Sequence, residues 1–303
     1  MPPSDDSHAA LIFGAGGQDG YYLAQLLRSE FVPTVGVSRS AGRDWLVGDV
    51  RNREHVQELI RFHQPGYIFH LAATSTTRHD ALFENHETIS TGTLNILEAV
   101  KSHSPETKVF LSGSGLQFEN LGSPISEHTP FAATSPYAVA RIQSVYAARY
   151  YRSLGLRVYV GYFFHHDSPR RGPNHVSQII AQTARRIAAG SAELLELGDL
   201  SVRKEWGFAG DIVRGVWTLV QQDEIFEAAI GTGVAYSIAD FVDACFRLIG
   251  EDWREHVKER NGFTADYSCL LSDPSTLRSL GWHPRVDLAG LATMMLDPMA
   301  EKA

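Results

Sequence analysis

The stretch AALIFGAGGQDG, residues 9–20, decides the fold. It begins as an uninterrupted apolar run, the pattern of a strand buried on both faces. The run breaks into glycines, and GYYLAQLLRSE (20–30) follows with apolar residues at helical spacing. In such a strand–turn–helix, Gly14 permits the tight turn, Gly17 lets a diphosphate approach the backbone, and Gly20 lets the helix pack on the strand. Gln18 and Asp19 stand at the helix start, beside free N–H groups whose partial positive charge favours phosphate. Gly14, Gly17, Gln18, Asp19 and Gly20 are therefore read as a dinucleotide-binding turn.

The pattern repeats outward. PTVGVSRS (33–40), GYIFHLAA (66–73), KVFLSGSG (108–115) and RVYVGYFF (157–164) read as strands. EHVQELIRFH (54–63), TGTLNILEAVKSH (91–103) and PYAVARIQSVYAARYYRSLG (136–155) read as helices between them. This alternation implies right-handed crossovers, and hence an α/β chain with a Rossmann-type, doubly wound parallel sheet. Past residue 165 the alternation weakens, and helices such as SQIIAQTARRIAAG (177–190) and SIADFVDACFRLIG (237–250) are joined by polar loops. The expected division is a dinucleotide-binding domain over 1–164 with a return segment near 205–230, and a smaller interleaved substrate lobe over 165–204 and 231–303.

Composition narrows the function. The 303 residues are 44% hydrophobic and 20% charged, enough for a sizeable core. A net charge of -8 argues against nucleic acid, which calls for a basic stripe. Apolar runs fall short of a membrane span, and MPPSDDSHAA (1–10) has no basic start or apolar core of a signal peptide, so a cytoplasmic location is expected. Two cysteines, Cys245 and Cys269, make no disulfide framework and are read as packing residues. Cations gather at Arg39 with Arg43, in SPRRG (168–172) and in SVRKEW (201–206), where an anionic small ligand would meet them.

The end of the second strand sorts the dinucleotides. An NAD site places an Asp or Glu about 20 residues after the turn to hold the ribose hydroxyls. Here Ser38 and Arg39 stand there with no acid beside them. An acid would repel a 2′-phosphate and Arg39 would bind it, so NADP is favoured over NAD. Asp49 and Val50 end a further short strand, suited to the adenine, and Leu71, Ala72 and Ala73 are small enough to lie against the cofactor.

GQDG (17–20), TPF (129–131), SPYAVA (135–140), SPRRG (168–172), EWG (205–207), TGVAYSIADFV (232–242) and LGWHP (280–284) occur in an order that spans nearly the whole chain. In these stretches the chain resembles the extended short-chain dehydrogenases of nucleotide sugars, and within them the GDP-mannose 4,6-dehydratase family. The resemblance implies that Tyr137 is the acid/base at the sugar 4-hydroxyl. It implies that His166 and either Arg170 and Arg171 or Arg203 and Lys204 lie near the nucleotide-sugar substrate. It implies a homodimer, in which the helix from Tyr137 and the one near 89–102 build a four-helix bundle.

Three departures bear on the chemistry. The family has lysine four residues after the tyrosine; here it is Arg141, one helical turn from Tyr137. Its cation can still stabilise a phenolate, but arginine does not give up a proton. The family's Ser-Thr-Ser-Glu run is here Ser112, Gly113, Ser114, Gly115, so the threonine that binds the 4-hydroxyl and the glutamate that takes the carbon-5 proton are both glycine. Ser112 or Ser114 is left to reach the hydroxyl. His165 stands where the family has asparagine and is a candidate proton carrier. A metal at His165, His166 and Asp167 is disfavoured, because consecutive strand residues point to opposite faces. Finally, FTADYSC (263–269) lacks the family's Arg and Glu in a shorter loop, which leaves the base and sugar open and favours a dimer over a tetramer.

Three readings follow. The first is an NADP-dependent oxidoreductase working at carbon 4 of a nucleotide-diphosphate sugar, with a GDP-sugar favoured, as ketoreductase, 4-dehydrogenase or epimerase. The second is a GDP-mannose 4,6-dehydratase with substituted catalytic groups. The third is an NADP-binding homologue without catalysis. Loss of both proton-handling side chains at 113 and 115 puts redox at carbon 4 first, because elimination needs a placed base worth about 10²–10⁴ in rate.

Overall fold

The structure is a computed structural model that describes residues 9–42, 45–74, 76–260, 262–263 and 265–297. Arg43 of the first basic cluster lies outside the described residues. The first half runs β1 (Ala10–Phe13), α1 (Gln18–Ser29), β2 (Thr34–Ser38), β3 (Trp45–Val47), α2 (Arg53–His63), β4 (Tyr67–His70), α3 (Leu82–Asn85), α4 (Gly92–His103), β5 (Lys108–Ser114), α5 (Pro136–Ser153) and β6 (Arg157–Phe163). The second half runs β7 (His166–Asp167), α6 (Val176–Ala188), β8 (Leu195–Leu197), β9 (Arg203–Glu205), β10 (Gly207–Phe208), α7 (Ala209–Val220), β11 (Glu227–Ile230), β12 (Ala235–Ser237), α8 (Ile238–Ile249), β13 (Val257–Glu259), β14 (Cys269–Leu270), α9 (Ser275–Ser279) and α10 (Leu288–Leu296).

Seven strands pair in parallel in the order β11-β6-β5-β4-β1-β2-β3. Parallel neighbours need crossovers, and the crossover helices cover both faces. On one face Leu23 and Leu27 of α1 and Ile212 and Val216 of α7 pack on Ile12, Phe69 and Phe110. On the other, Ile60 of α2, Ile96 and Val100 of α4 and Val145 of α5 pack on Leu11, Val109 and Val158. The expected doubly wound α/β sheet is thus present. Strand order reverses between β1 and β4, which opens a crevice at the carboxyl ends of the strands.

The smaller sheets are β12-β9-β14, β13-β8 and β10-β7. Helices α6, α8 and α10 close a third core through Ile180, Ala184, Phe241, Phe246 and Leu291. The chain rejoins the large sheet at β11, whereas β9 and β10 stay in the small sheets. No helix among the described residues is long and apolar enough to cross a membrane.

Local chemistry fixes the start of α5. The Ser135 hydroxyl accepts the Ala138 N–H at 3.2 Å and Pro136 occupies the first turn. SPY is therefore a helix start, and it sets Tyr137 at the carboxyl edge of the sheet. Residues 86–91 form a π turn between α3 and α4 that packs against α5.

Candidate active site

A cleft of about 180 Å³ runs over the glycine turn. Gly14 has φ +96°, and a side chain there would meet the Ala72 nitrogen at 2.7 Å; only glycine fits. Gly14 and Gly17 line one side, Ser38 and Arg39 the end of β2, and Asp49, Val50, Leu71, Ala72 and Ala73 the remainder. Gly20 does not line the cleft; it lets α1 lie against residues 14–15. Arg39 pairs with Glu84 at 3.2 Å, an acid 45 positions away that strand-end reading did not reveal. Asp49 is gripped by Arg51 at 2.8 Å and 2.6 Å. Burial works to raise its carboxyl, but those hydrogen bonds outweigh it and hold Asp49 below the usual carboxylate range.

Gln18 and Asp19 correct the sequence reading. Their side chains face the 166–168 segment rather than the cleft over the glycine turn. Gln18 donates to the His166 carbonyl at 3.4 Å and accepts from the Ser168 hydroxyl at 2.9 Å. Asp19 lies 2.9 Å from His166 Nε2. The start of α1 thus staples the glycine turn to the chain leaving β6.

Beyond Leu71 and Ala73, which line both spaces, a chamber of about 260 Å³ opens. Ser112, Gly113 and Ser114 form its floor, with Tyr137 and Arg141 beside them. Arg141 is 5% exposed; its Nη1 donates to the Ser112 carbonyl and to Ser112 Oγ at 2.9 Å. Its Cζ lies 5.0 Å from the Tyr137 ring centroid. Ser112 donates its one proton to the His70 carbonyl at 3.0 Å and has none for a substrate. Ser114 Oγ accepts from the Leu116 N–H at 3.2 Å, and among the described residues no acceptor takes its proton.

The glycines at 113 and 115 leave no empty space. A methyl group at 113 would stand 2.6 Å from the Tyr162 ring, and one at 115 would stand 2.7 Å from the Phe164 ring. Tyr162 is anchored by its hydroxyl to Glu227 at 2.6 Å. Aromatic rings thus stand against the positions where the sequence comparison expected a threonine and a glutamate.

Histidines gather at the far end. His165 Nδ1 lies 2.8 Å from the Glu205 carbonyl and Nε2 lies 3.0 Å from Lys204 Nζ. Burial first, and then the Lys204 charge, push the His165 ring down to about 3. Nε2 lies also 3.2 Å from Asp167 Oδ2, so Lys204 and Asp167 meet at one edge of a neutral ring. Lys204 is itself pushed down to about 8 by burial. Burial depresses the His166 ring too, but Asp19 more than compensates and holds it above its ordinary value. His165 and His166 both line the chamber, because β6 ends at Phe163 and the chain bends at His165; the alternation argument does not apply.

The four candidate cations separate. Arg171 lines the chamber, 3.4 Å from buried Asp167. Arg170 instead stacks 3.6 Å above the Tyr21 ring. Arg203 is exposed and donates to the Ala235 carbonyl at 2.8 Å. Lys204 is buried behind His165. His175, Thr77, Tyr267 and Leu270 also line the chamber and went unread. His175 stands just past SPRRG, and Tyr267 falls within FTADYSC, so both stretches drew attention without yielding the residue.

The profile of a family described as GDP-mannose 4,6 dehydratase matches residues 11–295. GDP-mannose 4,6 dehydratase 1 of Arabidopsis thaliana is 30% identical over 325 residues, covering 97% of this chain and 90% of its own. The dTDP-glucose 4,6-dehydratase of Bacillus anthracis, solved with NAD, superposes with TM-score 0.85 at 18% identity over 97% of each chain. RMD of Pseudomonas aeruginosa, solved with NADPH, superposes with TM-score 0.82 at 18% identity over 98% of this chain and 99% of its own. At such identities the solved structures speak for the fold, and the sequence matches speak for the family. They favour dehydratases over the carbon-4 reductases and epimerases that the residues alone had put first. The chain belongs to the GDP-mannose 4,6-dehydratase family of extended short-chain dehydrogenases.

Proposed function

We propose that this protein is an NADP-dependent 4,6-dehydratase of a GDP-sugar that works with substituted catalytic groups. One observation carries the reading: in a chain matched to this family over 11–295, Tyr137 lines a chamber that adjoins the dinucleotide cleft. Gly14 and Gly17 clear the way for the diphosphate, and Ser38 and Arg39 receive the 2′-phosphate. When bound, NADP accepts the hydrogen from sugar carbon 4. Tyr137 takes the 4-hydroxyl proton while Arg141 stabilises the negative charge, and Arg171 holds the substrate diphosphate; both His166 nitrogens are spent on the Phe164 carbonyl and Asp19. The domain division at residue 164 and a cytoplasmic homodimer belong to the same reading. Leu94, Val139, Tyr146 and Tyr150, 37–60% exposed on α4 and α5, offer an apolar face for the dimer.

Water loss needs a base at carbon 5; His165 lines the chamber, and loss of the Lys204 proton releases its Nε2 lone pair for that task. The ring alone, near 3, is a weak base, but its partner near 8 matches the working pH. A base acts unprotonated, so the rate of water loss rises with pH through a midpoint near 8. Lys204→Met removes that rise in a pH–rate profile.

Arg39→Ala weakens NADP binding about 10–100-fold, the worth of a charge-assisted hydrogen bond, and leaves NAD within about twofold. Titration calorimetry with both coenzymes reads the difference.

The rings against Gly113 and Gly115 favour a second reading, redox at carbon 4 alone. Incubation with NADP and GDP-mannose, followed by mass spectrometry, separates the two. A 4-keto-6-deoxy product without net NADPH supports dehydration; a keto sugar with equal NADPH supports redox alone. Tight NADP binding without turnover of any nucleotide sugar overturns both.

A further inference from the structure

A second phenol, Tyr267, lines the chamber together with Tyr137 and His165. It comes from a different part of the chain. Tyr137 lies in the first turn of α5, whereas Tyr267 stands just before β14. The residues after it are tied to two neighbouring segments. The Asn120 side chain donates to the Cys269 carbonyl at 2.7 Å, and the Arg203 N–H donates to the Ser268 carbonyl at 2.9 Å. In the register of β14 with β9, Leu270 lies beside Lys204, the cation against His165. The Tyr267 ring itself packs on the buried cluster that includes Phe118 and Tyr162.

Loss of water from a sugar needs two proton carriers, a base at carbon 5 and an acid at the carbon-6 hydroxyl, because bare hydroxide is a poor leaving group. His165 serves as the base; the acid is unassigned. The chamber offers few candidates. Arg141 and Arg171 do not give up protons. Ser112 has given its proton to the His70 carbonyl. Asp19 and His166 hold each other at 2.9 Å. Burial, and then the Arg171 charge, keep the His175 ring below its ordinary value, so it is not an imidazolium at neutral pH. Ser114 and Thr77 are alcohols, no stronger as acids than the water to be formed.

A phenol is a stronger acid than either. Burial, and then the Asp266 carboxylate, push Tyr267 up to about 12, so its hydroxyl stays protonated through the working range. Water ionises only at about 15.7, so proton transfer from the phenol to a departing hydroxide runs downhill.

We propose that Tyr267 is the general acid that protonates the departing carbon-6 hydroxyl. The inference rests on the dehydratase reading of this same chamber. His165 takes the proton from carbon 5, and the electron pair of that C–H bond forms the double bond between carbons 5 and 6. The bond from carbon 6 to oxygen breaks; the oxygen takes the Tyr267 proton and leaves as water. The step is redox-neutral. Tyr267 regains a proton from solvent, and solvent receives the one that Tyr137 took from the 4-hydroxyl, so protons balance over the cycle.

One variant and two substrates test the assignment. Tyr267→Phe keeps the ring and removes the proton. GDP-mannose must lose hydroxide; its 6-deoxy-6-fluoro analogue loses fluoride, which departs without a proton. In the full-length protein with NADP, Tyr267→Phe is expected to lower kcat on GDP-mannose about 10²–10⁴-fold. Fluoride release from the analogue, read with a fluoride electrode, is expected to stay near the wild-type rate. A variant that fails to fold, or a ring that merely shapes the chamber, would lose both activities alike, and that result overturns the proposal. So does an unchanged rate on GDP-mannose. In either case, wild-type dehydration of GDP-mannose leaves the dehydratase reading standing and sinks only this assignment. Wild-type protein that releases neither a 4-keto-6-deoxy sugar nor fluoride overturns both together.

Discussion

Tyr137→Phe is expected to cut turnover about 10²–10⁴-fold while leaving NADP affinity within about twofold. The substitution removes one oxygen. The ring stays, 92% covered, at the same 5.0 Å from Arg141, since the aromatic face is unchanged. The helix start survives too, because it depends on the Ser135 cap and Pro136. What goes is the phenol proposed to take a proton from a sugar between the floor of β5 and the cationic end at Arg171. Ser112 cannot replace it, its proton being given to the His70 carbonyl. The measurement is kcat on whichever nucleotide sugar turns over, with coenzyme affinity by titration. An unchanged kcat would place proton transfer on another group and sink the proposed mechanism.

Glu227→Ala is expected to lower stability by about 1–3 kcal/mol, the cost of leaving the partners of a half-buried charge cluster unsatisfied. Glu227, at the start of β11, accepts from Tyr162 at 2.6 Å, from Arg149 at 2.9 Å and 2.8 Å, and from Arg152. Removing it leaves two guanidinium groups and a phenol facing one another at the sheet edge. Burial works to raise its carboxyl, but these donors outweigh that and pull it from 4.5 to about 2. The folded value lies below the unfolded one, so the contribution is complete above 4.5 and fades as pH falls through about 2. The gap between wild type and variant in denaturant titration should therefore narrow below pH 4.5. At neutral pH, Tm should fall on the order of 2–6 °C. A gap that stays constant with pH would show that Glu227 contributes by packing rather than by charge. The variant also unpins Tyr162, the ring that stands against Gly113, so activity should suffer beyond the loss of stability.

Much of the architecture was legible because it is local. Apolar runs bounded by glycine gave the strands, the order of strand and helix gave the parallel sheet, and the spacing of Tyr137 and Arg141 put them on one helix turn. The small residues along the cleft over the glycine turn were legible for the same reason: Gly14 and Ala72 answer a close approach of backbones, which leaves a mark in residue size. The pairings between distant segments left no such mark. Arg39 was read without Glu84, 45 positions on. Gln18 was assigned to the cofactor because its partners at 166 and 168 lie 148 and 150 positions away.

The glycines at 113 and 115 show the boundary most clearly. In sequence they read as lost side chains, and the loss of two proton-handling groups follows from the letters alone, since glycine offers none. Whether that loss leaves a hole, a water or a wall does not follow. The parallel register that sets Gly113 beside Tyr162, and Glu227 beneath its hydroxyl, makes it a wall. Sequence by itself determined the strand–turn–helix, the glycine turn that the cleft runs over and the Tyr137–Arg141 turn, because steric and hydrogen-bonding rules act there within a few residues. Only the tertiary structure decided which cations face the chamber, which histidine is neutral and what borders the two glycines. Burial and charge pairing depend on which distant segments the sheet brings together, and no short stretch of chain contains that information.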